Sequence, residues 1–374
     1  MAMTAAQFAN AAFIEKVAAD PGEASAHGSK VVRDHIREAA FNRKLVPMVN
    51  IGPGAPGLQV SLDHDTFTKI EWLEPKSRAM VFNFRGGPSA RIIRGPKAAM
   101  GFFSIASERF EITTQELMTY PYPITKVIED NTPLDIEEIE DREWIQHVEA
   151  AVQAMQQEGN GGTVTALNMS ALAAGSVTEW AVVKGERARN AAADDGVARP
   201  LERPDIAALK RLHFNTRNRA DKLLITDSDL SHVDAWTIED LGSQVEGETA
   251  KTGWKSPTLL GLTVVRTIKG KVLRPGNVYS FAKPNYLGRS YQLGQMQFFA
   301  KKEGNRLMWW AWEDIAMAIL NVAGVKKLEL YSGDATSHDT DSILSSVIPD
   351  TEEAPFEYQA LAYKGIYVPK VVIF

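Results

Sequence analysis

Residues Gln295–Tyr331 read QMQFFAKKEGNRLMWWAWEDIAMAILNVAGVKKLELY. An apolar strand ends at the polar turn KKEGN, and a second apolar strand carries Trp309 and Trp310. The run that follows places Trp312, Ile315, Ala316, Ile319, Leu320 and Ala323 at the spacing that lines one face of a helix. Glu313 and Asp314 would sit in its first turn, where acids suit the helix dipole, and Gly324 would stop it. Lys326–Tyr331 reads as a further strand. The expectation is hairpin, helix and strand packed as one buried frame.

Upstream, Thr132 has the character of an N-cap, with Pro133 in the first helical position and Asp135 able to close a capping box. The helix predicted there runs to about Gln157, with Ile145, Val148, Val152 and Met155 on one face and the GNGG cluster as its stop. At about 1.5 Å per residue it is long for a globular protein. Its first half is acidic: Asp135, Glu137, Glu138, Glu140, Asp141 and Glu143 stand against Arg142 alone.

Between Phe67 and Met118 the pattern is strand-like, with TKIEWLEP, AMVFNF, ARIIRG and GFFSIASERFEI divided by Gly and Pro. Arg85, Arg91, Arg94 and Lys97 lie in the middle of it without an acid. Short helices are expected over Thr4–Ala19 and about Ser29–Asn42, before a proline- and glycine-rich link that suits neither helix nor central strand. Later, DIAALKRLHF reads as a helix, KLLITD as a strand, Ser228 or Asp229 to Leu241 as a helix, and TLLGLTVVRTI and NVYSFAK as a strand pair. Gly242–Pro257 is a long polar loop. Residues 332–374 read as a loop closed by a strand that Pro369 edges.

Composition narrows the function classes. The 374 residues carry 44% hydrophobic and 24% charged side chains, ordinary for a globular chain with a sizeable core. No cysteine is present, which excludes disulfides and thiolate metal sites. A net charge of −6 argues against a general nucleic-acid binder. The N-terminal sequence lacks a basic region followed by an apolar core, and no run is apolar enough to span a membrane.

Catalytic patterns fail on inspection. Gly242 and Gly247 have phosphate-loop spacing, but Lys251 is displaced from the position that reaches phosphate. Asp63, His64 and Asp65 would alternate faces in an extended segment and converge poorly on a metal. Ser231-His232-Val233-Asp234 and Ser337-His338-Asp339 hold triad residue types without a strained nucleophile turn. Asp334, Asp339 and Asp341 lack the calcium-loop signature. No catalytic, cofactor-binding or metal residue is expected, and Trp309, Trp310 and Trp312 read as core packing.

The order of segments, with the WEDIAMAILN run and the VKKLEL strand near the end, resembles the major capsid proteins of tailed phages, the Hong Kong 97 fold. The resemblance implies an α+β chain organised as an N-terminal arm (1–62), an extended hairpin loop (63–118), a peripheral domain with a long spine helix (119–220), an axial domain (221–290), a peripheral hairpin and return strand (291–331), and a C-terminal loop and strand (332–374). It implies a structural, non-enzymatic subunit that self-assembles into homo-pentamers and homo-hexamers of a shell enclosing double-stranded DNA, without sequence-specific contacts. Such a subunit would be made and assembled in the bacterial cytoplasm and reside in the virion. A separate scaffolding protein, a portal and a decoration protein are the implied partners, and Gly242–Pro257 would lie at a capsomer centre. The hairpin's Arg85, Arg91, Arg94 and Lys97 are expected to meet Glu137, Glu138, Glu140 and Asp141 of a neighbouring spine helix. An encapsulin-like nanocompartment shell shares the implied fold, and a soluble α+β enzyme is the reading from another class.

Overall fold

The computed structural model describes residues 38–60, 67–73, 97–120, 124–159, 181–185, 187, 199–215, 218–236 and 257–331. The two N-terminal helices (save residues 38–42), the Gly242–Pro257 loop apart from its last residue, the chain after Tyr331, and Arg85, Arg91 and Arg94 lie outside them. So do AMVFNF and ARIIRG.

The centre is one strand, β14 (Arg306–Ile319), where a helix was expected from Trp312 onward. On one side it pairs antiparallel with β13 (Gln297–Glu303) and, further along, with β12 (Gly288–Leu293). On the other it pairs with β6 (Phe110–Thr113) and β5 (Phe103–Ala106). β1 (Met48–Ile51) adds parallel to the outer edge of β12. The reason for the misreading is visible in the residues. The run is so apolar that a period of 3.6 and a period of 2 both fit it, and partners on both edges then supply backbone bonds that override helix propensity. Leu307, Trp309, Ala311, Glu313, Ile315, Met317 and Ile319 alternate onto the core face, all of them buried.

A second six-stranded sheet runs β7 (Val182–Lys184), β15 (Val325–Glu329), β11 (Asn277–Ala282), β8 (Ala220–Thr226), β10 (Leu262–Thr267) and β9 (Thr258–Leu259). β11 is buried at every position, as a central strand covered on both faces must be. The helix Arg203–Asn215 packs on one face of this sheet, with Ile206, Leu209 and Leu212 in a core shared with Leu223, Ile225 and Leu328. The helix expected from Ser228 or Asp229 is instead one turn, Asp227–Leu230, capped by Thr226 and followed by 3-10 turns to Ala235. Besides the stretch from β6 to β7 that holds the long helix, the chain passes between these two sheets through Pro284–Tyr286 and through Val322–Gly324.

The long helix spans Ile124–Gly159, starting earlier than its capping signals suggest. Pro133 lies inside it, and Thr132 is no cap: its hydroxyl donates to the Ile128 carbonyl at 2.8 Å. A proline inside a helix costs about 3 kcal/mol. Here Ile124 and Ile128 reach Leu117, Leu307 and Trp309, and that packing holds the extra turns. The signal missed nearby is Thr113 with Glu116, a complete capping box that opens the helix Thr114–Thr119. The long helix straddles both sheets. Its Ile136, Trp144, Ile145, Val148, Val152 and Met155 share one core with Ile315 and Met317 of the first sheet and Leu224, Tyr279 and Phe281 of the second.

A three-stranded sheet of β2 (Leu58–Val60), β3 (Phe67–Trp72) and β4 (Lys97–Gly101) stands on the other face of β12 and β14. Its described root ends at the pair Trp72–Lys97, with residues 73–96 lying between the two strands. Met100, Phe102 and Leu58 cover Tyr291 and Ala316 there. Tyr291 donates its hydroxyl hydrogen to Glu71, which also pairs with Lys69 at 3.6 Å.

Gly288 opens β12, opposite Ile319 of β14. A Cβ on it would stand 2.2 Å from the Ala318 carbonyl oxygen and 3.1 Å from the Ile319 Cα, and backbone cannot swing aside. Gly288→Ala should therefore destabilise the chain by about 1–3 kcal/mol or more, by prying β12 from β14. A drop in urea midpoint at unchanged slope checks this.

Candidate functional site

Glu137, Glu140 and Asp141 lie three and four residues apart and so share one face of the long helix. Glu140 and Asp141 fall within the buried stripe between Ile136 and Trp144, and both are fully buried. Buried carboxylates need donors and cations, and these come from the segment Ala40–Val46. The Ala40 amide donates to Glu137 at 2.8 Å. The amides of Phe41 and Asn42 donate to the two oxygens of Asp141 at 3.2 and 2.9 Å. The Asn42 side-chain amide donates to Glu140 at 2.6 Å. These amides go to carboxylates, so the helix expected to run to Asn42 does not include residues 38–41; a four-residue turn, Asn42–Leu45, follows instead.

Arg43 is the hub. Its guanidinium lies 2.7 Å from Glu140, 3.3 Å from Glu313 of β14 and 3.6 Å from Glu137. Gln292 of β12 adds a donor to Glu313 at 3.0 Å. Lys269, in the turn after β10, donates to Asp141 at 2.6 Å. Glu38 closes the rim by accepting from Thr267 and from the Ile268 amide, both at 2.9 Å. Phe41, Leu45 and Val46 fill the main core beside these charges. Burial pushes Asp141 up to about 6 even though Lys269 opposes it. Burial, then the charge of Glu140, pushes Glu313 up to about 7 against the pull of Arg43.

The residues named from sequence thus separate. Lys97 stands at the end of the hairpin root with its ammonium 4.2 Å from the ring of Trp72, which is 67% exposed. Glu140 and Asp141 are enclosed and engaged within their own chain, which corrects the expectation that they face a neighbour. Glu137 is largely engaged the same way, while Glu138 is half-buried off this cluster. Sequence reasoning missed Arg43, Lys269 and Glu313. Glu313 was legible only once β14 was a strand, as the one acid on an otherwise apolar alternation. Ser231 and His232 do unrelated work: the hydroxyl caps the Ser228 carbonyl, and the ring accepts from the Leu201 amide. Among the described residues no three of His, Asp and Glu gather as a metal site, and no helix is long and apolar enough to cross a membrane.

The other conspicuous surface is β13. Its outer edge has no strand partner among the described residues. Phe298 and Phe299 are 39% and 36% exposed on it. Phe299 stacks on Trp312 at 4.0 Å and on Trp310 at 5.9 Å, with Arg109 above Trp310. Of the three tryptophans expected in the core, Trp309 is there and the other two form this ledge on the opposite face.

An edge strand unpaired among the described residues, an aromatic ledge and a small three-stranded sheet set on a two-sheet body suggest comparison with shell proteins. The capsid structure of the cyanophage P-SCSP1u superposes with a TM-score of 0.55 at 10% identity, over 83% of this chain and 93% of that one. The fold is that of a phage capsid. The capsid of a native GTA particle matches over 85% of this chain and 99% of its own at 12% identity, TM-score 0.49. That of Mycobacterium phage Che8 matches over 84% and 99% at 11% identity, TM-score 0.49. No protein-family model and no curated protein matches the sequence.

The anchor predicts a specific fragility. Arg43→Ala strands Glu140 and Glu313 without their shared cation, and removing one partner of a buried pair costs about 3–5 kcal/mol. Because Arg43 is itself 31% exposed, the lower end is expected. Chemical denaturation measures the loss, and Arg43→Lys should recover only part of it, since a single ammonium nitrogen lacks the separate N–H groups with which the planar guanidinium spans Glu137, Glu140 and Glu313.

Proposed function

We propose that this chain is the major capsid subunit of a tailed double-stranded DNA phage, forming the pentamers and hexamers of an icosahedral shell. The observation that carries the reading is the capsid fold extending over most of the chain. The surfaces suit it: a strand edge with no partner among the described residues and exposed aromatics are liabilities on a monomer, and contacts between copies would cover them. On this reading residues 1–62 act as an arm, the hairpin beyond Trp72 and Lys97 crosses to a neighbour, and Gly242–Pro257 lies near the capsomer axis. A scaffolding protein, a portal and a decoration protein are its further partners in the host cytoplasm and virion.

Size-exclusion chromatography and electron microscopy of the expressed chain test the proposal. Capsomers or MDa particles are expected, with nuclease-protected DNA when the particles form in infected cells. A chain that stays monomeric under all assembly conditions overturns it. Particles that hold protein in place of DNA would favour a nanocompartment.

The hairpin's basic residues have a narrower acidic target than the sequence suggested. With Glu140 and Asp141 enclosed, Glu138 and the exposed side of Glu137 are what a neighbour's Arg85, Arg91, Arg94 and Lys97 would meet. Single exposed pairs contribute about 0–1 kcal/mol, so repetition around a capsomer must supply the effect. Reversing Arg91 and Arg94 to Glu should block assembly at low salt without lowering subunit stability, and Glu138→Lys in the same chain should restore part of it. Sedimentation of particles reads the outcome; normal assembly of the first variant removes this contact.

A further inference from the structure

The lodging of residues 40–46 has an unbalanced charge set. Glu137, Glu140 and Asp141 face it from the long helix and Glu313 from β14. The cations facing them are Arg43, from the segment, and Lys269, from the turn after β10. A third ammonium, Lys222 of β8, donates to the Leu45 carbonyl at 3.0 Å and to that of Lys44, and so holds the segment by its backbone. Asn42 and Gln292 contribute neutral amides, and Glu38 and Lys44 pair with each other at 3.6 Å on the rim. Four carboxylates therefore share two cations. Three of the four are fully buried, so water does little to screen their repulsion. Such a set settles either by binding protons or by letting the segment go.

We propose that residues 40–46 form a proton-linked latch, seated while the carboxylates between the helix and β14 hold protons and loosened when those protons leave. The segment joins residues 1–37 to β1, which lies along β12. Loosening it would free the approach to β1 and uncover Phe41, Leu45 and Val46. The direction in pH follows from the titrating groups. Glu313 stands at about 7 against an ordinary 4.5, and Asp141 at about 6 against 3.8. Acids raised on folding contribute stability that is complete below their unfolded values and is lost as pH rises through the folded ones. The latch is therefore firmest below about pH 4 and weakens as pH rises from there to about pH 7. In an assembling shell it would tie the position of the N-terminal residues to pH. That use rests on the capsid reading, whereas the latch itself belongs to the single subunit.

Amide hydrogen exchange on the full-length, unassembled chain tests it, so a failure to form particles leaves the test intact. The Ala40, Phe41 and Asn42 amides, which donate to the carboxylates, and that of Val46 are followed at about pH 5.5 and about pH 8. Rates are corrected for base catalysis of exchange. Protection of these four should fall about tenfold or more at the higher pH, while β8 and β11 amides hold theirs. Glu313→Gln combined with Asp141→Asn keeps the shape, removes the titration and should flatten the difference. Equal corrected protection at both pH values overturns the latch, as does a pH dependence that persists in the double variant. Should that variant fail to fold, carboxyl carbon NMR of the unmodified chain decides. Glu313 and Asp141 titrating near 7 and 6 support the proposal, and ordinary carboxylate titration overturns it.

Discussion

Arg43 lies between Glu140 of the long helix and Glu313 of the central strand, two carboxylates that are enclosed on elements far apart in sequence. Neither acid can be enclosed alone, because an ionised carboxylate removed from water without a partner costs several kcal/mol. The stripe that the helix turns inward is therefore incomplete until the segment around Arg43 arrives. Lys269 repeats the constraint for Asp141 from the second sheet. Helix, first sheet, second sheet and N-terminal segment meet at one ionic centre. Replacement of such centres by apolar residues is often neutral or better for stability. What the ions contribute here is position. An apolar stripe would tolerate sliding of a long helix across two sheets, while a guanidinium that must reach three carboxylates fixes one register.

How much of this was legible follows from what each residue can signal alone. The inward positions Ile145, Val148, Val152 and Met155 were readable from spacing, because a half-buried helix separates its faces by polarity. The same logic failed at Glu140 and Asp141. A run of acids on a helix normally marks its wet side, and their cations stand about a hundred residues away in one direction and more in the other. β14 failed for the opposite reason: with apolar residues on both faces, no contrast remains to distinguish a strand from a helix. Its strand character comes from β5, β6, β12 and β13, which are tertiary facts. The order of segments was readable where individual elements were not, since order survives an error in the type of one element. The site was less legible than the fold: Arg43, Lys269 and Glu313 carry no motif and acquire meaning only when brought together.

The two faces of the first sheet differ in how finished they are. The face under the long helix is sealed, with Trp309, Ile315 and Met317 in continuous cores. The opposite face is covered by the hairpin root over Tyr291 and Ala316 but leaves Trp310, Trp312 and Phe299 stacked at its other end. Lys301, Lys302 and Glu303 protect one half of β13 with charge in the manner of a guarded edge strand. Gln297, Phe298, Phe299 and Ala300 carry none. A chain whose fate is solitary gains by guarding its whole edge. One that is joined gains by leaving part of it unguarded, and the uncharged half here, which no described strand covers, is the half beside the aromatic ledge.

The formal charge of −6 needs the same spatial reading. The anchor's four carboxylates and two cations account for a net −2 of it, so −4 belongs to the rest of the chain. Whatever protons the anchor holds make the subunit less acidic still, and they sit inside the protein, away from anything that could touch its surface. The field presented to a polyanion is thus weaker than composition suggests. It is set by how basic stretches such as Arg85–Lys97 and exposed acids are distributed. An overall acidic balance is therefore a poor guide to how the surface meets a polyanion.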